Sequence, residues 1–171
     1  VCLIECPYVG DLIATNAFDT VYHEHLSYWS IGPLESLAQR AGLQLVDLEY
    51  FPTIHGGTVR YHLRHQGTAS SVVYAWWKNE REQGYKTMPY YQGFAERVKR
   101  LCVQSGGMLA GQDAVGYGAS AKCAVQLNTL HGMGIDVQPR VVVDDAPAKI
   151  GRRIPGVKVP IVPSGSVSWG D

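Results

Sequence analysis

Residues 113–145 constrain the fold of this chain more tightly than any other stretch. Asp113-Ala114-Val115 leads into Gly116-Tyr117-Gly118-Ala119-Ser120-Ala121-Lys122, a helical run follows over residues 123–130, and Gly132 closes it. After Pro139 comes a second apolar strand, Arg140-Val141-Val142-Val143, ending in Asp144-Asp145. The order is strand, glycine-rich turn, helix, strand, and two strands joined through a helix are parallel neighbours. The turn fits the pattern G-x-G-x-x-G/A with an acidic residue some twenty positions on. Glycines there permit a tight turn and close approach of a diphosphate to amides at a helix N-terminus, where the dipole favours negative charge. Ser120 and Lys122 add a hydroxyl and a cation. The same residues also suit a plain strand-to-helix turn, so the motif gains weight only from its context.

A second stretch carries proton chemistry. Tyr22-His23-Glu24-His25 packs a phenol, two imidazoles and a carboxylate into four residues. Histidine titrates nearest neutrality and can take and return a proton, a neighbouring carboxylate can orient it, and tyrosine offers a donor to a developing oxyanion. An extended tetrapeptide would place Tyr22 and Glu24 on one side and His23 and His25 on the other, whereas a helical turn would bring Tyr22 to His25. Spacing alone leaves both open. His23, His25, Glu24 and His55 could also furnish nitrogen and oxygen ligands, but no spacing places a fourth, and no metal is expected.

Between these stretches the pattern is readable. Residues 1–6 form an apolar run ending at Pro7 and read as a buried strand whose carboxyl end, Glu5-Cys6-Pro7-Tyr8, faces a crevice in an open sheet. Residues 10–16 suggest a helical turn. Ser30-Ile31-Gly32-Pro33 opens a clearer helix, with Leu34, Leu37, Ala38 and Ala41 at helical spacing and Gly42 as its stop. Residues 43–50 and 58–64 alternate as strands, the second with Val59, Tyr61 and Leu63 against Arg60, His62 and Arg64. Gly56-Gly57 precedes it, and Arg60 is a candidate partner for an anionic group. Residues 66–71 are small and polar and read as a linker. Beyond them Val73, Trp76, Trp77 and Glu80 start one helix. A Met88-Pro89 break leads to a second with Phe94, Val98, Leu101 and Cys102, wet on the side of Arg97, Lys99 and Arg100, and interrupted at Gly106-Gly107. The tail, residues 149–161, is a basic loop with a short edge-like strand, its cations near the crevice.

Composition narrows the class. Fifteen basic and fifteen acidic residues cancel, so no overall field favours nucleic acid or an anionic membrane, and any anion site is local. A hydrophobic content of 46% suffices for a packed core, and no apolar stretch is long enough to span a bilayer. Four cysteines without a CxxC pair fit reduced thiols in a cytoplasmic protein. The chain opens in an apolar run and closes on residues 166–171 where another strand is expected, which reads as an excised piece.

Taken in order, Glu5-Cys6-Pro7-Tyr8-Val9-Gly10-Asp11, Phe18-Asp19-Thr20-Val21-Tyr22-His23-Glu24-His25, His55-Gly56-Gly57-Thr58-Val59-Arg60, residues 116–122, Asp144-Asp145, Lys149-Ile150-Gly151-Arg152 and Pro155-Gly156 resemble the carboxyl-terminal portion of the S-adenosylmethionine-dependent nucleotide-sugar C-methyltransferases. The resemblance implies an α/β fold: the C-terminal part of a Rossmann-like methyltransferase sheet over residues 1–66, then a second Rossmann-like βαβ domain over residues 67–171 that holds the nucleotide diphosphate. It implies methylation at C3 of a nucleotide-linked 4-keto-deoxysugar, with His25 as the base that removes the C3 proton and Tyr22 and Glu24 assisting. Substrate contacts would fall on Gly116, Tyr117, Gly118, Ala119, Ser120, Lys122, Asp144 and Arg60. The family's zinc-binding cysteine cluster and its donor-binding glycine loop have no counterpart in these residues. S-adenosylmethionine would therefore be held elsewhere, in a separate amino-terminal half or across a homo-oligomer, and this stretch alone would be inactive. Two other readings stay open: an NAD-binding dehydrogenase or epimerase domain, with Asp144 or Asp145 on the ribose, and a non-catalytic nucleotide-sugar-binding module.

Overall fold

Residues 1–168 are described by the computed structural model, and they divide into two compact units. The first comprises Val1–Phe18 and His25–Arg97; the second comprises Asp19–Glu24 and the chain from Val98 on. The α/β class holds, with both helices and strands in each unit.

In the first unit, β1 (Cys2–Pro7), β2 (Gln44–Phe51) and β3 (Thr58–Arg64) form a sheet in the order β1-β3-β2, with both pairings antiparallel. The alternation read from residues 58–64 is realised in β3, where Val59, Tyr61 and Leu63 are buried. In β2, Leu45 and Leu48 are both buried although three positions apart. A register shift between Leu45 and Asp47 restores the facing that strict alternation would have lost. The expectation of a buried first strand is corrected: β1 is an edge strand, and its six residues are exposed or half-buried. An apolar run that short does not distinguish an inner strand from an edge.

Helices α1 (Val9–Ala14), α2 (Ile31–Arg40) and α3 (Ser71–Gln83) belong to the same unit. Ile31, Leu34 and Ala38 of α2, Val73 of α3 and the inner residues of β2 and β3 build its core, closed by Tyr8 and Tyr85. Residues 66–71 are tied to the sheet: Gly67 N donates to Gln44 Oε1 and Ser70 N to Val46 O, while Ser70 Oγ donates to Asp47 and caps α3 by accepting from Val73 N. The compact units meet along the chain at Arg97/Val98, within α4 (Met88–Leu109).

Pro89 is the second residue of α4, a position where a missing N–H costs nothing, and the helix runs through Gly106-Gly107. Gly106 is there for contact, since a Cβ would run into Ile135. Arg97 is not on a wet face; it donates to Asn16 Oδ1 at 2.9 Å and to Ile13 O at 2.9 Å.

The second unit contains β4 (Val115–Tyr117), α5 (Ala121–Gly132), β5 (Val141–Val143) and β6 (Ile161–Val162). The strands lie in the order β4-β5-β6, all parallel, so β4, α5 and β5 form the strand–helix–strand unit read from the sequence. Ala119, Leu127, Val142, Ile154, Val159 and Ile161 make its core. Of the strand expected over residues 166–171, Ser166 closes a 3-10 turn (Ser164–Ser166), Val167 and Ser168 are not in a strand, and the rest lies outside the described residues.

The cysteines give a direct test of this packing. Burial raises the thiols of Cys6, Cys102 and Cys123, whereas Cys2 is exposed. Thiol labelling with dithionitrobenzoate at pH 8 is expected to modify one cysteine rapidly, identified as Cys2 by mass spectrometry, and the other three only as urea is added. Rapid uniform labelling would contradict the packing around Cys102.

Candidate functional site

The tetrapeptide adopts neither alternative weighed from sequence. It follows the 3-10 turn Phe18–Thr20 and itself bends through a turn. Tyr22, His23 and Glu24 belong to the second unit, where Gln126 of α5 donates to Asp19 Oδ2 at 3.1 Å and ties their segment down. Tyr22 is half-buried, while the side chains of His23 and Glu24 are 85% and 70% exposed and stand 4.0 Å apart. His25 belongs to the first unit, where its partly exposed ring meets Tyr28 edge-on at 6.2 Å. Among the described residues no group of three or more His, Cys, Asp or Glu side chains is placed to hold a metal ion.

In the second unit the glycine-rich turn joins β4 to α5. Gly118 has φ +86, a left-handed conformation that glycine adopts without strain, and its N–H donates to Val143 O at 2.8 Å. Ala119 N donates to Asp144 Oδ2 at 2.9 Å, and Ser120 caps α5 by accepting from Cys123 N at 3.2 Å. Asp144, at the carboxyl end of β5, is engaged on both oxygens, since Ala146 N donates to Oδ1 at 2.9 Å and Lys149 Nζ to Oδ2 at 2.8 Å. Tyr117 projects outward, 79% exposed, and Lys122 is exposed.

A cavity of about 560 Å³ opens beside this turn, wholly within the second unit. Tyr22 and His23 line it with residues 119–121, Ala124, Val125 and Asn128 of α5, and the basic loop, which contributes Lys149, Arg152 and Arg153. From the sequence this loop reads as a basic stretch with its cations near the crevice. In the fold it is a hairpin that bonds back on itself, with Ile154 N donating to Val159 O at 2.8 Å and Ile161 N to Arg152 O at 2.9 Å. Asn128 Nδ2 donates to Pro155 O at 2.9 Å, and a Cβ on Gly156 would run into Asn128 Oδ1.

Arg60 is placed in the first unit, at the centre of a cross-strand row. Its guanidinium reaches Glu5 at 2.7 Å and Glu49 at 3.7 Å and lies 4.8 Å above the Phe51 ring, while Glu49 also meets His62 at 2.6 Å. The carboxylates that flank it became visible only with the strand register, Glu5↔Arg60↔Glu49.

Acid sensitivity follows from Asp144. The hydrogen bond from Lys149, with those from the Ala146 and Ala119 amides, holds its carboxyl below the usual range. A depressed folded value means that the stabilisation is complete above the unfolded value, near 4, and drains away as pH falls through the folded one. The midpoint of thermal unfolding of the second unit is therefore expected to fall as pH drops below about 4, and Asp144→Asn should lower the midpoint at pH 7 while flattening that acid limb. An unchanged acid limb in the variant would remove Asp144 from the account.

Comparison with known proteins places this parallel strand–helix–strand unit within a family. The model of the C-methyltransferase C-terminal domain matches residues 53–168, and the chain belongs to that family. Of individual relatives, C-methyltransferase NovU of Streptomyces niveus is 32% identical over 166 residues, covering 92% of this chain. The chain spans 39% of that protein's length.

Proposed function

We propose that this chain is the substrate-handling portion of a cytoplasmic, S-adenosylmethionine-dependent C-methyltransferase that acts at C3 of a nucleotide-linked 4-keto-deoxysugar. The observation that carries the reading is the cavity of the second unit, which joins Tyr22 of the proton-transfer tetrapeptide to the turn at residues 119–121 in one apolar, cation-rimmed space. Such a space suits a diphosphate ester with a flat or apolar group attached. In this reading the unit built on β4, α5 and β5 is a Rossmann-like nucleotide-sugar domain, and the sheet of the first unit is the end of a Rossmann-like methyltransferase sheet.

His25 is the base. The C3 proton is acidic because the C4 ketone takes up the electron pair as an enolate, and the neutral imidazole removes that proton. Tyr22 donates to the developing oxyanion, and Glu24 orients the proton-transfer group. Residues 116–122 form the edge against which the nucleotide lies. Asp144 and Arg60 shape their surroundings, because their charged groups are already bound by neighbours of their own unit.

S-adenosylmethionine, when bound, supplies the methyl group. In the first unit α1 starts at Val9, directly after β1, with no glycine-rich turn between them, so its described residues do not form a cradle for the donor. We assign that role to a separate amino-terminal portion. A dehydrogenase reading is less well supported, since of the two acids that could meet a ribose Asp144 is spent on the Ala119 amide and Lys149 and Asp145 on Ser164.

The test is a chimera in which this chain replaces the matched stretch of NovU, assayed for transfer of a labelled methyl group to a nucleotide-linked 4-ketosugar. Carbon-bound label in the product is the expected result. A folded chimera that binds both reactants yet leaves the ketosugar unmethylated would overturn the reading.

A further inference from the structure

The cavity of the second unit identifies ligand-binding residues that the glycine pattern does not. In turns of this pattern an anion is held by backbone amides at the helix N-terminus. Here Gly118 N is taken by Val143 O, Ala119 N by Asp144 and Cys123 N by Ser120 Oγ. A carboxylate of the protein thus already occupies one amide of the turn, that of Ala119. A second anion brought there would meet Asp144 at close range, and like charges repel.

The opposite wall has the complementary character. Lys149, Arg152 and Arg153 line the cavity, and no carboxylate does. Lys149 is neutralised by Asp144 at 2.8 Å. Arg153 uses one donor on Lys158 O at 2.9 Å and keeps its charge, and Arg152 makes no ion pair among the described residues. Among the described residues, two guanidinium charges therefore remain uncompensated. They sit on a hairpin fixed by backbone bonds and by Asn128, so little ordering is needed when a ligand arrives. The lining also has an apolar part, formed by Ala121, Ala124 and Val125.

We infer that Arg152 and Arg153 grip the phosphate groups of the ligand, that Asp144 is the built-in anion of the glycine turn, and that the Ala121–Ala124–Val125 wall takes the nucleoside. This rests on the proposed function and specifies how its substrate is held. Guanidinium forks match phosphate oxygens in pairs, which a lysine ammonium does not.

The experiment is calorimetric titration of the 171-residue chain with inorganic pyrophosphate, UDP and thymidine diphosphate. At least one nucleoside diphosphate is expected to bind more tightly than pyrophosphate, because the apolar wall contributes only to the former. Removing a charged donor should weaken that nucleotide at least about tenfold in Arg152→Gln. Arg152→Lys should recover only part of the loss. Arg100→Gln, an equal charge change on exposed α4, should stay within about twofold if the effect is local and not a long-range field. Circular dichroism checks that Arg153→Gln, which gives up the bond to Lys158, remains folded before its affinity is compared.

Three outcomes would overturn the assignment: no binding of either nucleotide, equal losses in the Arg152 and Arg100 variants, or loss with Lys122→Gln while Arg152→Gln binds normally. The last would return the anion to the turn. A chimera that transfers methyl groups but whose nucleotide affinity ignores Arg152 would refute these contacts and leave the proposed function standing. Tight nucleotide binding through Arg152 in a chimera that cannot methylate would do the reverse.

Discussion

Replacing His25 with glutamine in the NovU chimera is expected to lower methyl transfer at least about a hundredfold, roughly 2.7 kcal/mol of transition-state stabilisation, with the affinity for the nucleotide unchanged. Glutamine keeps a polar side chain of similar reach but cannot accept a proton near neutral pH. The ring is partly exposed, packs edge-on against Tyr28 and is not part of the core of the first unit. Exchange of the C3 proton with deuterated water, followed by NMR without the methyl donor, isolates the base from the transfer step. The variant should lose that exchange as well. If exchange persists in His25→Gln and stops in His23→Gln, the base has been placed on the wrong imidazole.

Glu80→Ala is expected to destabilise the first unit by about 3–5 kcal/mol, a large part of the stability of an ordinary domain. Glu80 is 6% exposed. Its Oε1 accepts from Tyr8 Oη at 2.9 Å and from Ile31 N at 2.8 Å, and its Oε2 from Gly32 N at 3.4 Å. Truncation strands a buried phenol and the first amides of α2, whose own N-cap residue, Ser30, contributes no side-chain bond. Glu80→Gln retains an acceptor and should cost less than half as much. Urea unfolding followed by tryptophan fluorescence reports on this region, since Trp76 packs edge-on against Tyr8 at 5.0 Å. A change below about 1 kcal/mol in the alanine variant would show that other groups satisfy the helix start.

How far the sequence could be read depended on whether a signal was local. The alternation of β3 and the strand, turn and helix order of residues 113–145 are local, and both stand in the fold. Glu80 sat on the apolar stripe with Val73, Trp76 and Trp77, which marked it as unusual, but its partners are 48 to 72 residues away. Arg60 is similar: a lone cation on a strand, until register sets Glu5 and Glu49 beside it. Gly106-Gly107 misled for the opposite reason, because a local breaker signal was overridden by the close approach of Ile135.

The site was legible as two motifs and no further. Nothing in the spacing told that Tyr22 and His23 line the cavity beside the turn, whereas the cations of the basic tail were expected near a crevice and do line it. The acid after β5 was expected at its place, but its hydroxyl-seeking role was inferred from a pattern that presumes an empty turn.

That last point reaches past this molecule. A glycine signature with one amide held by a resident carboxylate and another by a backbone carbonyl keeps its shape with no guest present. Scans that score the glycines alone would file such chains with the nicotinamide oxidoreductases. Asking what the strand-end aspartate is bonded to would sort them correctly.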